Sequence, residues 1–195
     1  RLSKRDGATG IRTLRDQGYL VLMVDSFGPR GIDEQCTQTE RRVRATVERK
    51  RDAWAALDFL RRRPDVQGER IAVVGWSHGG GTVLTAYESE TDGTGFRGGV
   101  AFYPGCTATE RQTRFEPVAP LLVMSGAIDD WTPAAPCRRL VQRLADRGAG
   151  APASFIEFAD SYHGFDSALP PRELTNVGGT ASGRGARPRR RGRHG

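Results

Sequence analysis

Short apolar runs alternate with longer stretches of helical periodicity along most of this 195-residue chain. Five of the runs are largely unbroken and rich in β-branched or aromatic residues, which is typical of strands buried on both faces. They are YLVLMV (19–24), IAVV (71–74), GVAFY (99–103), PLLVM (120–124) and SFIEF (154–158). The pattern therefore predicts five strands, each too short to be confused with a long amphipathic helix.

Helical spacing of apolar residues on a charged background predicts helices between these strands. The helix between the first two runs carries Val43, Val47, Trp54, Leu57 and Leu60, and ends at Pro64. The helix after PLLVM is expected to have Thr132 as its N-cap, Pro133 at its first position and Gly148 as its stop. Strands that alternate with helices predict an α/β fold with a mostly parallel sheet covered by helices on both faces.

The net charge of +7 does not make the predicted folded part basic. Six arginines lie in residues 184–195, which contain no Asp or Glu, and the rest of the chain carries 24 basic and 23 acidic residues. From about residue 176 the composition shifts to Gly, Ser, Arg and Pro without periodicity. We predict a folded domain over residues 1–176 and a disordered basic tail over 177–195, with no specific nucleic-acid partner.

Composition excludes several other classes of protein. No apolar run approaches the roughly 18 to 20 residues that cross a bilayer, so no membrane span is predicted, and the compartment and oligomeric state are left open. Cys36, Cys106 and Cys137 are too few for a disulfide scaffold, and none forms the C-x-x-C pair typical of zinc. Free thiols are the expectation, with one disulfide as the alternative, and neither a metal nor a cofactor is predicted.

The segment Gly75-Trp76-Ser77-His78-Gly79 fits the G-x-S-x-G pattern of a nucleophile elbow. In such an elbow a strand turns sharply into a helix, and the residues two before and two after the serine meet, so that only small side chains fit. A plain Gly/Ser-rich turn is the alternative. The elbow predicts that Ser77 is a nucleophile and that the backbone amide of His78 stabilises an oxyanion.

A serine nucleophile needs a base, and the chain has three histidines. His78 points along the new helix and His194 lies in the tail, which leaves His163, after the fifth run, as the predicted base. Asp129, just past the fourth run, is the predicted carboxylate that orients this histidine, with Asp130 as the alternative. Serine, aspartate and histidine then occur in the chain order of α/β-hydrolases.

Five motifs together resemble the dienelactone hydrolase family of α/β-hydrolases. They are DSFGPRG (25–31), RIAVVGWSHGGG (70–81), VAFYPGC (100–106), GAIDDWTP (126–133) and YHGFD (162–166). The resemblance implies an α/β-hydrolase fold that cleaves small esters or lactones through an acyl-enzyme, with Ser77, Asp129 and His163 as its triad. Dienelactone hydrolases proper have cysteine where this chain has serine, so dienelactone itself is not the expected substrate.

The family resemblance also implies strands and an oxyanion loop ahead of residue 19. Residues 1–18 are too short for them, so we expect the fold to lack its N-terminal strands. A prolyl-oligopeptidase-type peptidase domain and a non-catalytic fragment with an incomplete oxyanion hole are the alternatives to an esterase.

Three further residues, Arg30, Trp76 and Trp131, are candidate substrate contacts, with packing or surface positions as the alternative. The sequence GTGFRG (93–98) matches a dinucleotide-binding pattern, but it precedes a strand instead of joining a strand to a helix.

Overall fold

A computed structural model describes residues 4–35, 41–87, 95–148, 150–167, 172–174 and 179–181. The helices in these residues are α1 (Lys4–Asp16), α2 (Lys50–Arg61), α3 (His78–Tyr87), α4 (Thr107–Glu110) and α5 (Ala134–Arg147). The strands are β1 (Val73–Trp76), β2 (Gly99–Phe102), β3 (Leu121–Gly126), β4 (Ala153–Phe158), β5 (Arg172–Leu174) and β6 (Gly179–Ala181). Short 3-10 turns lie at Gly28–Arg30 and Gly68–Arg70, and a π-helical turn at Ala45–Arg49 leads into α2.

The central sheet is parallel, and its strands lie in chain order, β1-β2-β3-β4. Right-handed crossovers between strands in this order put successive connections on the same side of the sheet. Accordingly α3 packs against β1 and β2, α5 packs against β3 and β4, and α2 packs on α3. The prediction of an α/β fold with a parallel sheet is confirmed.

The hydrophobic core lies between the sheet and this helical layer. One row of the sheet register consists of Gly75, Ala101, Val123 and Phe155, and its two central members are fully buried. Leu57, Leu84 and Leu140 reach this row from the helices and are also fully buried. The apolar faces that sequence periodicity predicts for the helices therefore meet the predicted strands here.

The opposite face of the sheet is covered only in part by the residues that the structure describes. The next row of the register, Trp76, Phe102, Met124 and Ile156, is half-buried to exposed. Helix α1 approaches this face, where Gly10 lies beside the Trp76 ring. Helices thus lie on both sides of the sheet, as predicted, with the crossover helices α3 and α5 on one side and α1 on the other.

The first apolar run, residues 19–24, is not a strand. A strand exists only with a hydrogen-bonding partner, and among the described residues none pairs with this segment. Its side chains are correspondingly exposed, with Tyr19 at 59% and Met23 at 68%. The predicted five-stranded parallel sheet is therefore a four-stranded one within the described part of the chain.

Two predicted helices begin later than expected, since Val43 and Val47 precede α2 (Val47 within the π-helical turn) and Pro133 precedes α5. The N-cap of α5 is Pro133, not Thr132, whose hydroxyl is engaged elsewhere. Gly148 ends the helix with a left-handed φ of 58°, as predicted.

Two cysteines are paired, contrary to the expectation of free thiols. Cys106 and Cys137 form a disulfide, and both are buried. Cys106 follows β2 and Cys137 lies in the first turn of α5 after β3. The two segments meet because neighbouring parallel strands end at the same sheet edge. Cys36 lies outside the described residues.

Strands β5 and β6 form an antiparallel pair that crosses the predicted domain boundary at residue 176. Residues 179–181 were expected to belong to the disordered tail, and they are instead a strand. The remaining tail residues, His194 among them, lie outside the described residues, as do residues 93 and 94 of GTGFRG. None of the helices in the described residues is long and apolar enough to cross a membrane.

Candidate active site

Ser77 lies between β1 and α3 in a strained backbone conformation. Its φ is 53°, in the left-handed region that residues with a Cβ rarely adopt. The Ser77 N–H donates to the carbonyl oxygen of Phe102 at 2.9 Å, and the Ser77 carbonyl accepts from the Gly81 N–H at 3.0 Å. These two bonds hold the sharp strand-to-helix turn that the G-x-S-x-G pattern predicts.

The glycines around Ser77 are required to different degrees. A Cβ on Gly75 would lie 2.2 Å from the carbonyl oxygen of Gly79, which no side chain can occupy. A Cβ on Gly80 would lie 2.9 Å from the carbonyl oxygen of Phe102, whereas one on Gly79 would make an ordinary 3.5 Å contact with Arg49. The second crowded position is therefore Gly80 and not the predicted Gly79, because Gly80 faces the end of β2.

The side chains of Ser77, His163 and Asp129 form a hydrogen-bonded chain. His163 Nε2 lies 2.8 Å from Ser77 Oγ, and His163 Nδ1 lies 2.9 Å from Asp129 Oδ2. His163 and Asp129 are each 4% exposed, whereas Asp130 is exposed. Of the two neighbouring carboxylates, Asp129 is thus the one that contacts the histidine. In the tautomer with a proton on Nδ1, His163 can accept the Ser77 hydroxyl proton.

The Asp129 carboxylate is held by the start of the following turn. Its Oδ1 accepts the backbone N–H groups of Trp131 and Thr132 at 2.9 and 2.8 Å. Its Oδ2 lies 2.8 Å from Thr132 Oγ1, which is also 2.9 Å from His163 Nδ1 and 3.1 Å from the carbonyl oxygen of Tyr103. Thr132 was not predicted as a site residue, although Asp followed three residues later by Thr is a local hydrogen-bonding pattern.

Two aromatic rings enclose the His163 imidazole. The rings of Tyr103 and Trp131 each lie 4.6 Å from it, centroid to centroid. Tyr103 is 1% exposed and has a φ of 36°, a second strained position at this sheet edge. Its contact with His163 joins residues 60 positions apart in the chain, so spacing along the sequence gives no signal for it.

A cavity of about 180 Å³ opens beside Ser77. Its described lining residues come from the loops before α2, the start of α3 and the ends of β2 and β3. They are Gln35, Arg41, Ala45, Ser77, His78, Gly81, Gly105, Trp131 and Thr132. This lining carries the guanidinium of Arg41 and no carboxylate.

Of the three candidate substrate contacts, Trp131 lines the cavity and the other two do not. Arg30 forms a two-point ion pair with Asp52, with both N···O distances at 2.8 Å, and the hydrogen bond from Arg30 lowers the pKa of Asp52. Trp76 stacks on Phe102 on the opposite face of the sheet, with centroids 5.3 Å apart. Both side chains are engaged away from the cavity, in the packing and surface positions given above as the alternative.

The His78 side chain is unsuited to act as a base. Burial, together with the cations Arg49 and Arg41, lowers the pKa of His78 to about 4. Arg49 Nη1 lies 3.1 Å from His78 Nδ1, and the Phe27 ring stacks on the imidazole at 6.5 Å. The backbone amide of His78 opens α3, where helix N–H groups have no intrahelical acceptor, so it remains the predicted oxyanion donor.

Comparison with known proteins gives one family match and several partial relatives. The family model for the dienelactone hydrolase family matches residues 8–179. A probable dipeptidyl-aminopeptidase B from Grosmannia clavigera is 36% identical over 87 residues, which are 45% of this chain and 9% of that protein. The corresponding protein from Fusarium vanettenii is 37% identical over 87 residues, which are again 45% of this chain and 9% of that protein. The matches thus span about a tenth of the length of these curated relatives.

Among solved structures, dipeptidyl peptidase 4 from Porphyromonas gingivalis superposes with a TM-score of 0.51 at 20% identity. The superposition covers 63% of this chain and 20% of that one. At this identity the likeness concerns the fold alone. Together with the parallel sheet, it agrees with the α/β-hydrolase fold expected from the sequence.

Proposed function

This chain belongs to the dienelactone hydrolase family, and on that basis we propose that it is a serine hydrolase that cleaves a small ester or lactone. The observation that carries the proposal is the hydrogen-bonded chain from Ser77 through His163 to Asp129. It begins at a strained turn that raises the serine hydroxyl above the sheet edge, and it ends on a buried carboxylate whose two oxygens are both held.

In the proposed reaction Ser77 Oγ attacks the substrate carbonyl while its proton passes to His163 Nε2. Asp129 keeps the other ring proton on Nδ1 and stabilises the imidazolium that forms. The His78 amide donates to the oxyanion of the tetrahedral intermediate. His163 then protonates the departing alkoxide, which leaves an acyl group on Ser77. Water, deprotonated by His163, releases the acid and restores the serine.

The cavity supports a small substrate over a long one. A volume of about 180 Å³ is below the roughly 300 to 1,000 Å³ of sites for drug-sized ligands. The described lining offers one guanidinium and no carboxylate, which disfavours a cationic group such as a peptide N-terminus. Side chains and water suffice for the proposed reaction, so it calls for neither a metal nor an organic cofactor.

A peptidase is the second candidate, because relatives 36% and 37% identical are named as dipeptidyl-aminopeptidases. An amide needs protonation of a poorer leaving group, but the same three side chains serve both reactions. A non-catalytic fragment is the remaining alternative, since a single amide is a weak oxyanion hole.

One experiment on the purified chain distinguishes the three candidate functions, an esterase, a peptidase and a non-catalytic fragment. Hydrolysis of p-nitrophenyl acetate and butyrate is compared with that of a dipeptide p-nitroanilide, in the parent protein, in Ser77→Ala and in Ser154→Ala. Ser154 is an exposed serine on β4 and serves as the matched control. We expect ester hydrolysis that falls about 10⁴-fold in Ser77→Ala and is unchanged in Ser154→Ala.

A faster reaction with the anilide would make the chain a peptidase. Equal rates in all three proteins, with no labelling of Ser77 by a fluorophosphonate, would reject serine catalysis altogether. Circular dichroism of the variants checks that each is folded.

A further inference from the structure

Asp166 connects the segment that carries His163 to the ends of two strands. Its Oδ2 accepts the indole N–H of Trp76 at 2.7 Å, and its Oδ1 accepts the hydroxyl of Tyr103 at 2.8 Å. Each carboxylate oxygen thus holds one aromatic donor. Asp166 lies three residues after His163 and is itself exposed, outside the cavity that adjoins Ser77.

The two donors are themselves next to the reacting groups. Trp76 is the last residue of β1 and directly precedes Ser77, so its position is coupled to that of the elbow. Tyr103 follows β2, and its ring lies 4.6 Å from the His163 imidazole. The strained backbone of Tyr103 persists only where several contacts determine it, and its hydroxyl bond to Asp166 is one of them.

The segment between His163 and Asp166 is a compact turn that transmits a displacement of either end to the other. Ser167 N–H donates to the carbonyl oxygen of Gly164 at 2.9 Å, which closes the turn. The Phe165 ring inside it packs against those of Tyr103 at 5.4 Å and Phe158 at 4.4 Å. A turn closed by a hydrogen bond and anchored by a buried ring has little freedom to absorb a shift of Asp166.

We propose that Asp166 is a positioning residue that sets the separation of Ser77 Oγ and His163 Nε2 through its bonds to Trp76 and Tyr103. This inference rests on the proposed function, since the separation matters most if the two atoms exchange a proton. A carboxylate suits the task because it accepts at both oxygens. An asparagine accepts at one oxygen and presents an N–H group to the second donor.

The test compares Asp166→Asn with Asp160→Asn. Asp160 lies three residues before His163, as Asp166 lies three after it, and both are exposed, so each variant removes one surface carboxylate at the same sequence distance. We expect kcat for p-nitrophenyl acetate to fall about 10- to 100-fold in Asp166→Asn with KM nearly unchanged, as for a small misplacement of reacting groups. Asp160→Asn should match the parent protein.

A second variant, Tyr103→Phe, keeps the ring beside His163 and removes the hydroxyl that binds Asp166. It should lower kcat to a similar extent, and the double variant Asp166→Asn/Tyr103→Phe should be little worse than either single one, because both break the same connection. Additive losses in the double variant, or equal kcat in Asp166→Asn and Asp160→Asn, would overturn the proposal.

A readout independent of turnover separates this inference from the proposed function. The ring ¹⁵N resonances of His163 report its hydrogen bonds, and the chain has three histidines, which makes their assignment tractable. We expect these resonances to move in Asp166→Asn and to stay in Asp160→Asn. If they move while the parent protein shows no Ser77-dependent hydrolysis, the positioning role stands and the proposed function fails. If hydrolysis occurs and the resonances stay in place, the positioning role fails alone.

Discussion

Two segments of this chain, residues 19–24 and 71–76, are both rich in apolar residues but have different structures. The second contains β1, which pairs with β2 from Val73 opposite Gly99 to Trp76 opposite Phe102. The first has no strand partner among the described residues, and Met23 within it is 68% exposed. Apolar composition is common to both, so composition alone does not decide which segment becomes a strand.

The two segments differ in structure because, in the described part of the chain, only one of them has a neighbouring strand to pair with. A strand satisfies its backbone through its neighbour, and a run without a neighbour leaves its N–H and C=O groups to solvent. The part of the chain from β1 to β4, here called the paired region, also carries the groups that hydrogen-bond to His163 or pack a ring against it: Ser77, Tyr103, Asp129, Trp131 and Thr132. The precise geometry of the site thus depends on the paired part of the chain, and the predictions below test how far the two regions differ.

The largest effect is expected where the paired region is most crowded. Gly75→Ala places a Cβ 2.2 Å from the carbonyl oxygen of Gly79, and the backbone must move to relieve the overlap. We expect a loss of about 3 kcal/mol in the free energy of unfolding, measured by urea titration. Gly81→Ala, within helix α3, is the control. Its added Cβ would make an ordinary 3.8 Å contact with Ala45. The control should be neutral or slightly more stable, and equal losses in both variants would argue against the elbow.

The next effect on stability is expected from the disulfide, which is present only in the paired region. It closes a segment with a sequence separation of 31 between Cys106 and Cys137, inside the paired region. Replacing both cysteines with alanine should cost about 2 to 4 kcal/mol in the free energy of unfolding. A reductant should lower the stability of the parent protein and leave that of the double variant unchanged. A parent protein insensitive to reductant even after denaturation and refolding would contradict the pairing.

A matched pair of valines compares the regions directly. Val123 in β3 is fully buried, whereas Val24 is 43% exposed. Val123→Ala should destabilise the protein by about 2 kcal/mol, from lost burial and the cavity left behind. Val24→Ala should change it by less than about 0.5 kcal/mol, as surface substitutions do. Similar losses in thermal or urea unfolding would mean that residues 19–24 are buried in solution.

The last test concerns Phe27, which follows the first segment and stacks on His78, which follows β1. The pKa of His78 is about 4 in the folded chain against an ordinary 6.5, so between these values the unfolded chain binds more protons. Stability should therefore decrease as the pH falls from about 6.5 to about 4, with no further loss from this group below that. His78→Gln should weaken this dependence, measured by urea unfolding at several pH values, and an identical dependence in the variant would remove His78 as its cause.

The sequence predicts the candidate site well where topology alone positions it. Ser77, Asp129 and His163 follow three different runs, and the carboxyl ends of parallel strands meet at one edge. It misses Thr132 and Tyr103 as neighbours of His163, and Asp166 as the acceptor for the Tyr103 hydroxyl, because these contacts depend on which rings and hydroxyls pack together after the strands are assembled. The sequence does not determine whether Cys106 pairs with Cys137, for the same reason. The elbow is the opposite case, since adjacent glycines and a serine specify it locally.

The order of the strands in the central sheet has a consequence for how the protein is made. Each strand pairs with the strand synthesised just before it, so the sheet can grow at one edge as the chain leaves the ribosome. Ser77 emerges with the first strand, Asp129 after the third and His163 after the fourth. The hydrogen bond between Ser77 and His163 therefore cannot form until translation has passed β4. A nascent chain that ends before β4 thus lacks the hydrogen bond between Ser77 and His163.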